Sequence, residues 1–136
     1  MIRSRTPYGF AVDTHLDPAA AEQAVRSLLQ TEGFGILTEI DLQATLRSKL
    51  GVEMPAYRIL GACNPELARR ALQAEPEIGL LLPCNVVVAA GPGGGSTVAF
   101  MDAEAALGLV GNPAIDAIGR EASERLHRVA AGLGGE

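Results

Sequence analysis

The chain has 136 residues, 48% of them hydrophobic and 20% charged, and a formal net charge of −5. That length suffices for one domain, residues 1–136, with its own core. One lysine, Lys49, and ten dispersed arginines supply no clustered basic surface of the kind that tracks a nucleic-acid backbone, so nucleic acid is not an expected partner.

Aromatic residues are few (Tyr8, Phe10, Phe34, Tyr57 and Phe100, with no tryptophan), so the core is expected to be built from Leu, Val, Ile and Ala. The first residues lead straight into ordinary sequence, without an apolar stretch of signal-peptide length. The longest apolar run, residues 78–90, is broken by Pro83 and Asn85 and is shorter than the about 20 residues of a bilayer span, so no membrane partner is expected. Two cysteines without an export signal are expected as free thiols in a cytoplasmic protein.

In chain order, residues 8–15 alternate loosely and predict a first strand. Asp17-Pro18 starts a helix: aspartate caps, and proline at the first position loses no needed N–H. Ala21, Ala24, Val25, Leu28 and Leu29 then recur on one helical face, and Gly33 terminates. Residues 33–41 predict a second strand. On it Phe34, Ile36 and Ile40 share one parity, while Leu37, Glu39 and Asp41 share the other. Asp41 is placed to cap a short helix carrying Leu42, Leu46 and Leu50, with Lys49 near its negative end and Gly51 stopping it.

Residues 57–62 predict a third strand, and Asn64-Pro65 opens a helix with Leu67, Ala68, Ala71 and Leu72 on its buried face. Glu66 is spaced to meet Arg69 and Arg70. Residues 78–90 predict a fourth strand, with Leu80, Leu82, Cys84, Val86 and Val88 on one side and Leu81, Pro83, Asn85 and Val87 on the other. Apolar character on both sides makes it central, with Pro83 marking a bulge or a nearby sheet end. The glycine-rich residues 91–96 lack a phosphate-binding ending and connect to a fifth strand at 97–101. Asp102 caps a short helical piece. Asn112-Pro113 starts the last helix, whose stripe is Ile115, Ile118, Ala122, Leu126 and Val129, before Gly132, Gly134 and Gly135 fray the end. The order predicts an α+β domain with helices on one sheet face. The other face, left apolar, needs a partner, and a homodimer is the economical one.

Three segments, GFGILTEIDLQATLRSKLG at 33–51, YRILGACNPELARRALQAEPEIGLLLPCNVVV at 57–88 and GNPAI at 111–115, resemble the prokaryotic family named only as domain of unknown function 302. The resemblance covers nearly the whole chain. It implies a β-α-β(4)-α layout like that of the TATA-box-binding protein, with helical insertions after strands 2 and 3, usually in a dimer. It implies no activity, and the likeness of fold does not carry DNA binding to an acidic chain.

Candidate chemistry centres on two Cys-Asn pairs. Cys63 ends a strand just before a helix start, where a thiolate is favoured, whereas Cys84 lies in an apolar strand where burial keeps it inert. The two are expected to approach each other if their strands are neighbours, as a redox pair or a thiolate metal site, although their spacing fits no short metal motif. Asn64 is explained as a cap. Asn85, polar within an apolar strand, needs a hydrogen-bond partner if it is buried, in a neighbouring loop or a ligand. Glu39 and Asp41, with Arg58 as counter-ion, form either an acid–base pair or a cap and a salt bridge. His15 and His127 are expected in solvent. The expectation is therefore a homodimeric, non-catalytic protein without a resident cofactor. It holds a small ligand or partner near Cys63, Asn64, Cys84, Asn85, Glu39, Asp41 and Arg58, at a place where Cys63 and Asn85 are reached together. The alternative is a thiol-dependent redox or metal-thiolate protein using Cys63 and Cys84.

Overall fold

The computed structural model describes residues 2–134. Its strands are β1 (Ile2–Thr6), β2 (Gly9–Thr14), β3 (Gly35–Asp41), β4 (Tyr57–Cys63), β5 (Cys84–Ala90) and β6 (Ser96–Met101). Its helices are α1 (Pro18–Thr31), α2 (Leu42–Leu50), α3 (Pro65–Ala74), α4 (Ala103–Gly108) and α5 (Pro113–Gly134). The strands form one antiparallel sheet in the order β1-β2-β6-β5-β4-β3. From β2 onward the path is the expected β-α-β(4)-α, with α2 and α3 inserted after the second and third strands of that unit. No described helix is long and apolar enough to cross a membrane.

The helices begin where their sequence places caps. Asp17 accepts from the Ala20 N–H, Asp41 from Ala44, Asn64 from Leu67 and Asp102 from Ala105, each at 2.9–3.1 Å. Asn112 accepts from the Ala114 N–H at 2.9 Å. Gly33 (φ 83°) and Gly51 (φ 66°) take the left-handed conformation that ends α1 and α2.

One sheet face is sealed by α1, α3 and α5. Val12, Val98, Val86, Val88 and Leu60 from the strands are buried there with Val25 and Leu29 of α1, Leu67 and Ala71 of α3, and Ile115, Leu126 and Val129 of α5. Leu72 turns away from this core and is exposed, unlike the expectation for α3. Arg70 likewise does not join Glu66, which Arg69 takes at 2.7 Å; it reaches Glu121 on α5 instead.

Four further expectations are corrected. An additional strand, β1, pairs with β2 at the edge; its mostly polar, exposed residues carry no alternation to read. The apolar run 78–90 is not one strand. Residues Ile78–Leu81 make a 3-10 turn with Ile78 in the core and Leu80 exposed; the Leu82–Pro83 bond is cis, and β5 begins at Cys84. Proline has no N–H to donate to a ladder, which places it before the strand. The third correction lies in β3, where the pairing shifts between Ile36 and Thr38, so Ile36 and Ile40 lie on opposite faces. Lastly, α5 does not fray at Gly132. It continues to Gly134, and a side chain at Gly132 would meet Leu28 Cδ2 at 2.8 Å, so the glycine lets α5 approach α1; Gly135 lies outside the described residues.

Candidate functional site

The two Cys-Asn pairs occupy different surroundings. Asn64 caps α3 with its oxygen, and its amide nitrogen donates to the Glu32 carbonyl at 3.4 Å, tying the start of α3 to the end of α1. Arg125 donates to the same carbonyl at 2.9 Å. Asn64 is thus occupied twice by the fold. Cys63 is half-buried and Cys84 buried, and both border a space of about 30 Å³ beside α3, lined also by Phe34, Leu67 and Ile118. That is room for about one water molecule. The expected adjacency of their strands holds, since Ala62 pairs with Cys84.

The expectation of an activated Cys63 thiol is not met, because burial pushes it above its ordinary value. Burial, together with the negative charge that Cys63 would carry, pushes Cys84 up to about 11. Burial disfavours the charged thiolate, and Cys63 lies just outside the first turn of α3, within which a helix terminus acts. At neutral pH both thiols are protonated, and it is the thiolate that attacks and binds metal. Among the described residues, no three of His, Cys, Asp and Glu are placed to hold one metal ion.

Glu39, Asp41 and Arg58 do come together, as the sequence predicts. The β3 bulge turns both carboxylates toward the helix side, where Asp41 pairs in register with Arg58 and Glu39 with Leu60. Two residues of α1 that the sequence reading passed over complete the group. Glu22 accepts from Arg58 Nε at 2.8 Å and from Arg26 at 2.9 and 3.0 Å. Arg58 also reaches Glu39 at 3.3 Å and Asp41 at 3.9 Å, and Arg26 bonds Glu39. Their signal was the i, i+4 spacing of Glu22 and Arg26 on α1. Burial pushes Glu22 up, but hydrogen bonds from Arg58 and Arg26 more than offset it and hold the carboxyl below its ordinary value. Every carboxylate here has a guanidinium partner, and Asp41 is also spent as a cap. The group clamps α1 to the β3–β4 end of the sheet and leaves no free base.

Asn85 points the other way. It is exposed on the sheet face opposite the helices, pairs in register with Gly61, and has no side-chain hydrogen bond among the described residues. No loop partner for it is found among the described residues, and the groove that Asn85 borders does not include Cys63, although Cys63 shares the strand parity of Gly61 opposite Asn85. A continuous row of paired positions crosses this open face: Ser4, Ala11, Ala99, Val87, Ile59 and Ile40. At the β1–β2–β6–β5 end lies a groove of about 430 Å³ bordered by Tyr8, Tyr57, Asn85, Val87, Ala99 and Met101. At the other end Leu37 (65% exposed) and Ile40 (45%) stand out, and beyond the strand end Leu50 (70%) and Val52 (45%) of the α2 segment are also bare. Sequence reasoning missed Tyr8, Tyr57 and Met101 as lining. For Tyr57 and Met101 the signal was parity, because they fall on the open-face side of strands whose other side is core; Tyr8 lies in the turn between β1 and β2, where strand parity gives none.

A sequence profile described as "Domain of unknown function DUF302" matches residues 10–133. The chain belongs to the DUF302 family. A solved structure, the "uncharacterized conserved protein DUF302 from Bacillus stearothermophilus", is 25% identical, covers 92% of this chain and 97% of its own, and superposes with a TM-score of 0.84. No curated protein matches.

In this DUF302 domain the histidines are not alike. His15 is exposed, as expected. His127 is half-buried: its ring stacks on Phe10 at 4.0 Å, and Nδ1 donates to the Ser123 carbonyl at 2.8 Å. It packs the end of α5 onto β2, and the Ser123 hydroxyl lies 3.4 Å from the same Nδ1, which is committed to the Ser123 carbonyl. Among the candidate residues of the DUF302 domain, Asn85 alone presents an uncommitted hydrogen-bonding group to an accessible groove.

Proposed function

We propose that this DUF302 domain is a non-catalytic, homodimeric binding module that works through the uncovered face of its sheet. A second copy packs on the β3–β4 end, over Leu37, Ile40 and Ile59, and a small ligand occupies the groove around Asn85 at the other end. One observation carries the reading: the face opposite the helices is an apolar surface with a groove in it. An apolar sheet face left in water is unfavourable by about 25 cal/mol per Å², and a two-fold dimer buries the same patch on both copies. The groove, at about 430 Å³, is within the size range of small-molecule sites. Asn85 supplies a donor and an acceptor there, as an orienting polar group must.

Native mass spectrometry of protein purified from its own host tests both halves. The expected spectrum is a dimer, with added mass that is lost on denaturation. A monomer across the micromolar range without added mass contradicts the reading.

A thiol-based function is the second reading. In its favour, Cys63 and Cys84 border one space. Against it, burial keeps both protonated. Equal free-thiol titres before and after reduction would retire it.

A further inference from the structure

The groove's lining narrows the chemistry of its occupant, an inference that rests on the ligand-binding half of the proposed function. Its twelve bordering residues are Ser, Thr, Tyr, Gly, Phe, Ala, Asn, Val and Met, with no acidic or basic side chain among them. A charged group seated there would lose hydration without gaining an ion partner, so the buried part of the ligand must be neutral. Ala11 and Ala99, paired across β2 and β6, keep the floor low and flat. Tyr8 on one side and Tyr57 on the other rise beside it, and phenol rings favour stacked or edge-on contact with another flat ring. Asn85 borders the same space with an exposed amide that offers one acceptor and two donors.

We infer that the groove takes an uncharged planar aromatic ring bearing an amide-like edge, with the ring over Ala11 and Ala99 and the edge paired to the Asn85 side chain. Ser4 and Thr6 leave the outer side polar, and the Thr6 hydroxyl is already committed to the Gly9 carbonyl at 3.2 Å; of the polar side chains at the groove, Asn85 is the one with a carboxamide edge, which makes it the orienting group. The pairing is a two-point hydrogen bond between carboxamides, each giving an N–H and accepting one. It carries no net charge and therefore tolerates a low-polarity wall better than an ion pair does.

The test is an NMR titration of the intact protein with three probes of nearly equal size: benzamide, benzoate and cyclohexanecarboxamide. Benzamide is neutral and flat, benzoate is flat and charged, and cyclohexanecarboxamide is neutral but not flat. The expected result is saturable shifts for benzamide at Ala11, Asn85, Val87 and Ala99, at least five-fold weaker binding of both other probes, and at least five-fold weaker benzamide binding to Asn85→Val. Circular dichroism of that variant checks that it is folded. Equal binding of all three probes in the groove overturns the ligand class while leaving groove binding intact. No shift at the groove with any probe overturns the class and the ligand half of the proposed function together. Unchanged benzamide binding by folded Asn85→Val overturns the role of Asn85.

Discussion

Replacing Arg58 by methionine keeps the aliphatic stem and removes the guanidinium that joins Glu22, Glu39 and Asp41. The lost contacts are unequal. Those to Glu22, at 2.8 and 3.3 Å, involve a carboxylate only 15% exposed, whereas Glu39 and Asp41 are 49% and 43% exposed. Hydrogen bonds to charged groups contribute about 1.5–3 kcal/mol when buried and exposed pairs about 0–1 kcal/mol. Arg26 still holds Glu22 in the variant, so the expected cost at neutral pH is about 1–2 kcal/mol, toward the lower part of the buried range. The sign with pH follows from Glu22. Its folded pKa is depressed below the ordinary 4.5, so its stabilisation is complete above the unfolded value and is lost as pH falls through the folded one. The difference between wild type and Arg58→Met, measured by urea denaturation, must therefore shrink below about pH 4.5. A cost under about 0.3 kcal/mol at pH 7, or a gap that does not change with acid, refutes the clamp.

Asn64→Ala removes the α3 cap and one of two donors to the Glu32 carbonyl, and is expected to cost about 1–2 kcal/mol in chemical denaturation. Gly61→Ala puts a methyl against the Thr38 hydroxyl and 2.8 Å from Pro83 Cγ, on the open face beside Asn85; overpacking of this kind costs about 1–3 kcal/mol, read as a lowered denaturation midpoint. Because burial raises both thiols, iodoacetamide at neutral pH is expected to modify Cys63 no faster than a free cysteine derivative, and Cys84 only on unfolding. Faster modification of Cys63 would restore the thiol reading.

Much of the fold was legible because it is written in local chemistry. Asp17, Asp41, Asn64, Asp102 and Asn112 each cap the helix that follows, and the apolar stripes of α1 and α5 face the core. What failed depended on pairing. β1 has no pattern of its own and exists because β2 offers it an edge. The bulge between Ile36 and Thr38 reverses a parity that is regular in sequence. Leu80 to Leu82 are as apolar as a strand, but Pro83 interrupts the ladder before β5. At the candidate site, Glu39, Asp41 and Arg58 were legible as a charge group, while Glu22 and Arg26 joined only through packing of α1. For Cys63 the position beside a helix start was readable in the sequence and its burial was not. Asn85 stood out correctly as a polar residue in an apolar strand, and only the sheet could show which face it occupies.

The uncovered sheet face is the centre of this account, and sedimentation velocity on the wild type and on Ile59→Glu tests it most directly. Ile59 lies in the middle of the paired row, between Val87 and Ile40, with its side chain on the open face. The account predicts twice the chain mass for the wild type at micromolar concentration and a folded monomer for Ile59→Glu. A monomeric wild type, or a folded Ile59→Glu that remains dimeric, contradicts it.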